Sequence, residues 1–198
     1  VKSMYAALIN NGITVSQDIW QIKVPTKIKN FLWYLKKGVI LTKDNLVRRH
    51  WIGDTTCAFC HLPETIRHLF LDCFYAKFLW RAVHMLFGIS PPLSLSDLFN
   101  RWSKRGNKNL NSLLLIAAAA LSWTVWLTRN EVIFDKSRPK SFLQVLFRGT
   151  HWLRQWAQLQ RCEDLRNELI SMGRYLEMSA LKFFNSNGWL STRSIASS

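Results

Sequence analysis

Acidic residues are scarce in this 198-residue sequence: 12 Asp and Glu stand against 27 Lys and Arg, for a formal charge of +15. Polymerase and nuclease chemistry needs clustered carboxylates to hold Mg2+, and most acids here are scattered from Asp18 to Glu177. The one cluster, Glu163, Asp164 and Glu168, lies among Arg161 and Arg166 on a helical stretch and reads as an ion-paired surface. There is no Gly-rich phosphate loop, nucleophile elbow or H-E-x-x-H motif, so no catalytic activity is expected. With four cysteines and no export signal in the short, mixed segment Val1–Gly12, a disulfide scaffold is excluded. No fixed-period repeat or low-complexity tract is present, which argues against a solenoid or fibre. Nor does any apolar run reach the ~20 residues of a membrane span. Leu113–Leu127, 15 uncharged residues bounded by Asn111 and Arg129-Asn130-Glu131, reads as a helix buried in a protein core.

Core-forming material, by contrast, is plentiful. Apolar residues make up 48% of the chain, and the 12 Phe, ten Trp and four Tyr exclude a disordered basic tail. At this length roughly 70% of the unfolded surface can be buried. The charge is uneven: residues 1–50 and 101–150 each sum to +7, residues 51–100 to −1 and residues 151–198 to +2. Two basic blocks flanking a neutral middle point to a phosphate-bearing partner, because each neutralised phosphate releases counterions.

Helix signals dominate. Lys2–Asn10 reads as a short helix ended by Asn11-Gly12, and Trp20–Val24 as a brief extended stretch. From Pro25, Ile28, Phe31, Leu32 and Leu35 form one apolar stripe, with Lys27, Lys29, Lys36 and Lys37 off it and Gly38 as the stop. Thr42 is the expected N-cap of Lys43–His50, with Leu46 and Val47 inward and Lys43, Arg48 and Arg49 outside. Phe74–Phe87 carries Phe78, Leu79, Ala82, Met85 and Leu86 at helical spacing. Gly88–Pro92 breaks it and is the best internal boundary. A short helix Asp97–Trp102, a basic loop Ser103–Lys108, a long helix Asn109–Phe134 and about 40 further helical residues past Pro139 follow. Trp33, Trp80, Trp123 and Trp126 fall on helices and are expected in the core.

The chemistry sits in Cys57-Ala-Phe-Cys60, His68 and Cys73, a C-x2-C-x7-H-x4-C spacing. Two thiolates on a tight turn can take adjacent corners of a tetrahedron, and a second pair some ten residues on can take the others; Zn2+ accepts such a set in closed structural sites. Cys73 would begin the next helix, where the positive helix end favours a thiolate. Cys57-x-x-Cys60-His61 also spells a haem-attachment pattern, but that chemistry needs export and leaves His68 and Cys73 unused. His61 is the alternative fourth ligand. Cys162 reads as a plain thiol, and His50, His84 and His151 stand alone.

These residues resemble a known family. Trp20, Val24-Pro25-x-Lys27, Phe31-Leu32-Trp33, Leu41-Thr42, Leu46 and Arg49, then Cys57-x-x-Cys60, Glu64-Thr65-x-x-His68-Leu69-Phe70-x-x-Cys73 and Trp80, are similar to the reverse-transcriptase zinc-binding domain, zf-RVT, of plant LINE-type non-LTR retrotransposons. Trp123-x-x-Trp126-x-x-x-Asn130 with Phe134 is similar to the segment that often follows it. The resemblance implies zinc held by Cys57, Cys60, His68 and Cys73, and descent from an element that handled its own RNA and target DNA. The polymerase that precedes this module in the family is not in the sequence. With Val1 as first residue, the chain is expected to be either a piece of a polyprotein or a stand-alone derivative.

The expected protein is all-α with a small zinc-binding insert. Residues 1–90 would form the zinc-binding domain, 91–187 a helical region packed on it, and 188–198 a flexible tail. The expected function is nucleic-acid binding, RNA or single-stranded DNA, with structural zinc, in the nucleus or cytoplasm, and without membrane or small-molecule substrate. Phosphate contact is assigned to Lys27, Lys29, Lys36, Lys37, Arg48, Arg49, Arg101, Lys104, Arg105 and Lys108. The alternative is a helical protein-interaction module.

Overall fold

In the computed structural model, residues 17–102 and 106–186 are described; the expected helix Lys2–Asn10 and the tail 188–198 lie outside them. All regular structure among the described residues is helical, apart from one antiparallel bridge between Thr56 and Pro63. The chain opens with α1 (Gln17–Gln21). This corrects the expected extended stretch at Trp20: Ile19 and Ile22, three residues apart, both enter the core and hold the segment as a helical turn. The 12 residues of α2 (Thr26–Lys37) follow, with Ile28, Phe31, Leu32 and Leu35 buried as the stripe requires. Gly38 adopts φ +69°, a left-handed conformation cheap only for glycine, and the amides of Gly38 and Val39 bond back to Leu35 and Tyr34.

Helix α3 (Lys43–Val47) is shorter than expected; Leu46 is half-buried and Arg48 and Arg49 are exposed, as expected, but two positions change sides. Val47 is exposed, whereas Lys43 and Asn45 are buried. The inner face of so short a helix satisfies backbone carbonyls in place of apolar contacts: Asn45 Nδ2 donates to the carbonyls of Gly38 and Ile40, 2.8 Å each. Thr42 occupies the N-cap position but its hydroxyl donates to Asp44, so it makes no cap bond.

A π-helical turn (His68–Asp72) leads into α4 (Phe74–Phe87). Its buried stripe is Tyr75, Ala76, Leu79, Trp80 and Val83, while Met85 faces outward. A short α5 (Leu95–Asp97), capped by Ser94, continues as a π-helical turn (Leu98–Trp102). Trp102 is fully buried, donates to the Ser90 carbonyl at 2.8 Å and packs edge-on against Trp80.

The 23 residues of α6 (Lys108–Asn130), capped by Asn107, run through the middle of the molecule and touch α2, α4 and both preceding π-helical turns. With its trailing turn (Glu131–Asp135) this segment is long and apolar enough to cross a membrane by length and composition, yet 67% of its most apolar window is buried among other helices. Ser141 caps α7 (Phe142–Ala157), and α8 (Glu163–Ser186) closes the fold; each packs on α6 and on the other. Close approach is possible because Gly149 faces Leu121, whose Cδ2 lies 3.2 Å from where a Cβ would stand. Trp123 and Trp126 are partly buried against the core, Trp80 fully, and Trp33 is half-buried edge-on to Tyr34. One buried apolar cluster extends from Ile19 to Leu176, across Gly88–Pro92. The expected ion pairing around Glu163 is replaced: the Arg166 guanidinium donates to the Gln160 carbonyl, and Arg154 pairs with Glu177.

This packing generates a paired expectation. Leu32→Ala empties a site 1% exposed and should cost about 2–5 kcal/mol, whereas Met85→Ala should change stability by less than about 0.5 kcal/mol. Urea unfolding of the two variants checks both.

Candidate metal centre

The four residues of the C-x2-C-x7-H-x4-C pattern meet at one point. A hairpin is set by the Thr56–Pro63 bridge, with the Glu64 amide donating to the Thr55 carbonyl at 2.9 Å and the Cys57 amide to Leu62 at 2.6 Å. At its tip the His61 amide bonds to the Cys57 carbonyl, folding Cys57 and Cys60 onto one knuckle. His61 itself takes φ +60° and is exposed, outside the cluster. The other two residues share a single turn. The Cys73 amide bonds to the His68 carbonyl at 2.6 Å, closing the i→i+5 ring that defines the π-helical turn, so the x4 gap between His68 and Cys73 is one wide turn of helix. Thr65 Oγ1 accepts from the His68 amide and starts that turn. Cys73 then stands at the N-cap of α4.

The donor atoms of Cys57, Cys60, His68 and Cys73 all lie within 4.8 Å of one another. Cys57 Sγ is 4.0 Å from Cys73 Sγ, and Cys60 Sγ is 3.0 Å from His68 Nε2. Bonds of 2.0–2.3 Å place tetrahedral corners about 3.5–3.8 Å apart, so these donors fit a metal ion with little movement. Cys57, His68 and Cys73 are buried and Cys60 is half-buried. The Cys73 thiol beside Cys57, with the amides of Phe59 and Cys60, draws the Cys57 pKa down to about 5 against the opposing effect of burial. Burial raises that of Cys60. Hydrogen bonding to Cys57, then burial, raises that of Cys73. One thiolate is thus stabilised at the centre of the set, and a cation would have to displace the protons of the others.

Sequence reasoning missed what holds this lobe to the helices. Glu64 is 1% exposed and Arg129 is 4% exposed. Arg129 Nη2 lies 2.7 Å from Glu64 Oε1, and Arg129 Nε reaches both carboxylate oxygens at 3.2 and 3.3 Å. The same Oε1 accepts from the Lys43 amide at 3.0 Å. Glu64 therefore caps α3 from a distance, in the place expected of Thr42. Asn130 accepts from Arg129 Nη1, and the guanidinium lies over the Trp126 ring. The available signal was a single charge at the end of a long apolar helix, paired across 65 residues with the glutamate that opens the Glu-Thr-x-x-His run. Lys43 reaches Asp54 and the Thr56 carbonyl, binding α3 to the hairpin from the other side. The Lys43 ammonium holds the Asp54 carboxyl well below its ordinary 3.8. That contribution is present in full above about pH 4 and fades as acid protonates the carboxylate.

The nominated phosphate contacts are sorted by the fold. Lys27, Arg48, Arg49 and Lys108 are exposed, and Lys29, Lys36 and Lys37 are half-buried. The lysines of α2 do not share a face: Lys27 leans over Trp123, Lys29 donates to the Trp20 carbonyl, and Lys36 lies over Phe99. The Arg101 side chain, Lys104 and Arg105 lie outside the described residues. Cys162, His50, His84 and His151 are exposed and apart from the cluster.

Fold and site together define a helical domain with a Cys3His metal-ligand set. Residues 1–80 match the family described as zinc-binding in reverse transcriptase, zf-RVT. A protein of Arabidopsis thaliana whose given name is that of a putative ribonuclease H protein is 30% identical over 56 residues, which are 28% of this chain and 9% of that relative. No solved structure matches.

Arg129→Ala leaves a buried carboxylate without its partner and should cost about 3–5 kcal/mol. The double replacement Glu64→Gln with Arg129→Met should lose less than the two singles together, as urea unfolding in a double-mutant cycle would read.

Proposed function

We propose that the chain is a zinc-stabilised helical module that binds RNA or single-stranded DNA and has no catalytic activity of its own. The observation that carries this reading is the meeting of four soft donors within 4.8 Å of one another. Three thiolates and one imidazole suit Zn2+, and because the protein fills all four corners no position is left for a substrate or water. Cys57 and Cys60 on the knuckle and His68 and Cys73 on the π-helical turn would hold the ion, whose binding free energy would count as folding free energy. Partner class follows from charge: +15 over 198 residues favours a polyanion. The family description and the name of the Arabidopsis relative, reverse transcriptase and ribonuclease H, agree with a nucleic-acid partner. Four free cysteines fit a reducing compartment, nucleus or cytoplasm. A protein partner is the second reading, favoured by Tyr175, Met178, Leu181 and Phe183, exposed on α8.

Elemental analysis of the purified chain should find one zinc per molecule. Cys60→Ser should lose it and lower the melting temperature, and a chelator should do the same to the parent. A variant that melts like the parent in the presence of zinc would overturn the structural role. Affinity for single strands should fall as salt rises; binding indifferent to salt would end the nucleic-acid reading.

A further inference from the structure

We propose that Trp51, with Arg48 and Arg49, is a docking point for single-stranded nucleic acid: the indole stacks on one base and the guanidinium groups hold flanking phosphates. This rests on the function proposed above and assigns it a place.

The end of α3 builds the site. The His50 amide bonds to the Val47 carbonyl and the Trp51 amide to the Leu46 carbonyl, the paired closure that usually requires glycine. His50 supplies the left-handed residue instead, at φ +64°. The closure turns the chain outward, and residues 48–55 are all exposed. Trp51 leans over Gly53: a Cβ there would stand 2.3 Å from two of its ring carbons, so only glycine lets the indole lie where it does. The ring lies against backbone and remains 40% exposed; Trp20 is equally exposed but has no exposed arginines beside it in sequence, and Trp80, Trp102 and Trp156 are buried. An aromatic face held from behind and open in front is what base stacking uses.

Charge selects the occupant. Among the described residues the Arg49 guanidinium has no hydrogen-bond or ion-pair partner, and that of Arg48 donates to the neutral Asn45 Oδ1 at 3.0 Å. The nearest carboxylate in sequence on the C-terminal side, Asp54, is held by Lys43 and Thr56. Lys27, Lys29 and Lys36 are engaged with Trp123, Trp20 and Phe99, so they compete poorly for phosphate. Two guanidinium groups without a carboxylate partner, three and two residues before an open indole in sequence, fit a flexible polyanion with unpaired bases better than an apolar protein surface.

The test measures binding of the full chain to labelled oligouridylate, oligothymidylate and a duplex across a salt series. Trp51→Ala should weaken single-strand binding about 5- to 10-fold, leave the salt slope and melting temperature unchanged, and spare the duplex. Trp51→Phe should keep most of the affinity. Arg48→Gln with Arg49→Gln should instead reduce the salt slope, by about 0.7 for each phosphate no longer neutralised. If Trp51→Ala binds single strands like the parent, the stacking assignment is wrong while the broader function stands, and the face is left to a protein partner. Equal loss on the duplex, whose bases cannot reach the indole, overturns it as well. A parent chain that binds none of the three probes removes the function and this site together.

Discussion

One buried ion pair joins the two halves of this molecule. Glu64 begins the approach to His68, and Arg129 ends the long central helix. Neither can leave the pair without leaving a charge in an apolar interior, where an unpaired ion is costly. The pair does more than cancel charge. Glu64 receives the first amide of α3 through its side chain and an amide of the same helix, from Asp44, through its carbonyl. Its own amide closes the hairpin beneath the knuckle. A single residue therefore fixes α3, the hairpin and α6 relative to one another, and the ligand set inherits that rigidity.

The aromatic residues reinforce the same junction. Phe31 of α2 meets Trp123 of α6 at 5.1 Å and Phe70 of the ligand-bearing turn at 6.0 Å. Phe70 in turn stacks near Trp126, on which the Arg129 guanidinium also lies. The Trp80 indole donates to the Phe70 carbonyl at 2.8 Å, pinning a wide turn that leaves carbonyls to be satisfied. The π-helical turn is thereby held from both sides. That matters because its unusual width brings His68 and Cys73 to a common point.

Electrostatics follow from packing. A count of bases describes the whole surface as attractive to phosphate, but packing commits several of those charges within the protein. Lys43 is buried against Asp54, and Arg129 against Glu64. Arg148 pairs with Glu131, and Arg154 with Glu177. Among the described residues the Arg49 guanidinium, just past the end of α3, is one of the cations that packing leaves uncommitted.

Much of the fold and the candidate ligands could be read from local pattern. Period-3.6 stripes such as Ile28, Phe31, Leu32 and Leu35 specify a helix and its inner face because the stripe depends on local spacing alone. Cysteine and histidine spacing likewise marks a ligand set, since donors on a tight turn and on one helical turn are close for local reasons. Where reasoning from sequence failed, the deciding partner was distant along the chain. Val47 turned outward and Lys43 inward because Glu64, Asp54 and Thr56 supplied acceptors that no local pattern announces. Trp20 became helical because Ile19 and Ile22 found a core to enter. Which tryptophans stay open and which arginines stay unpaired depend on what other elements cover, and that is settled when the helices pack.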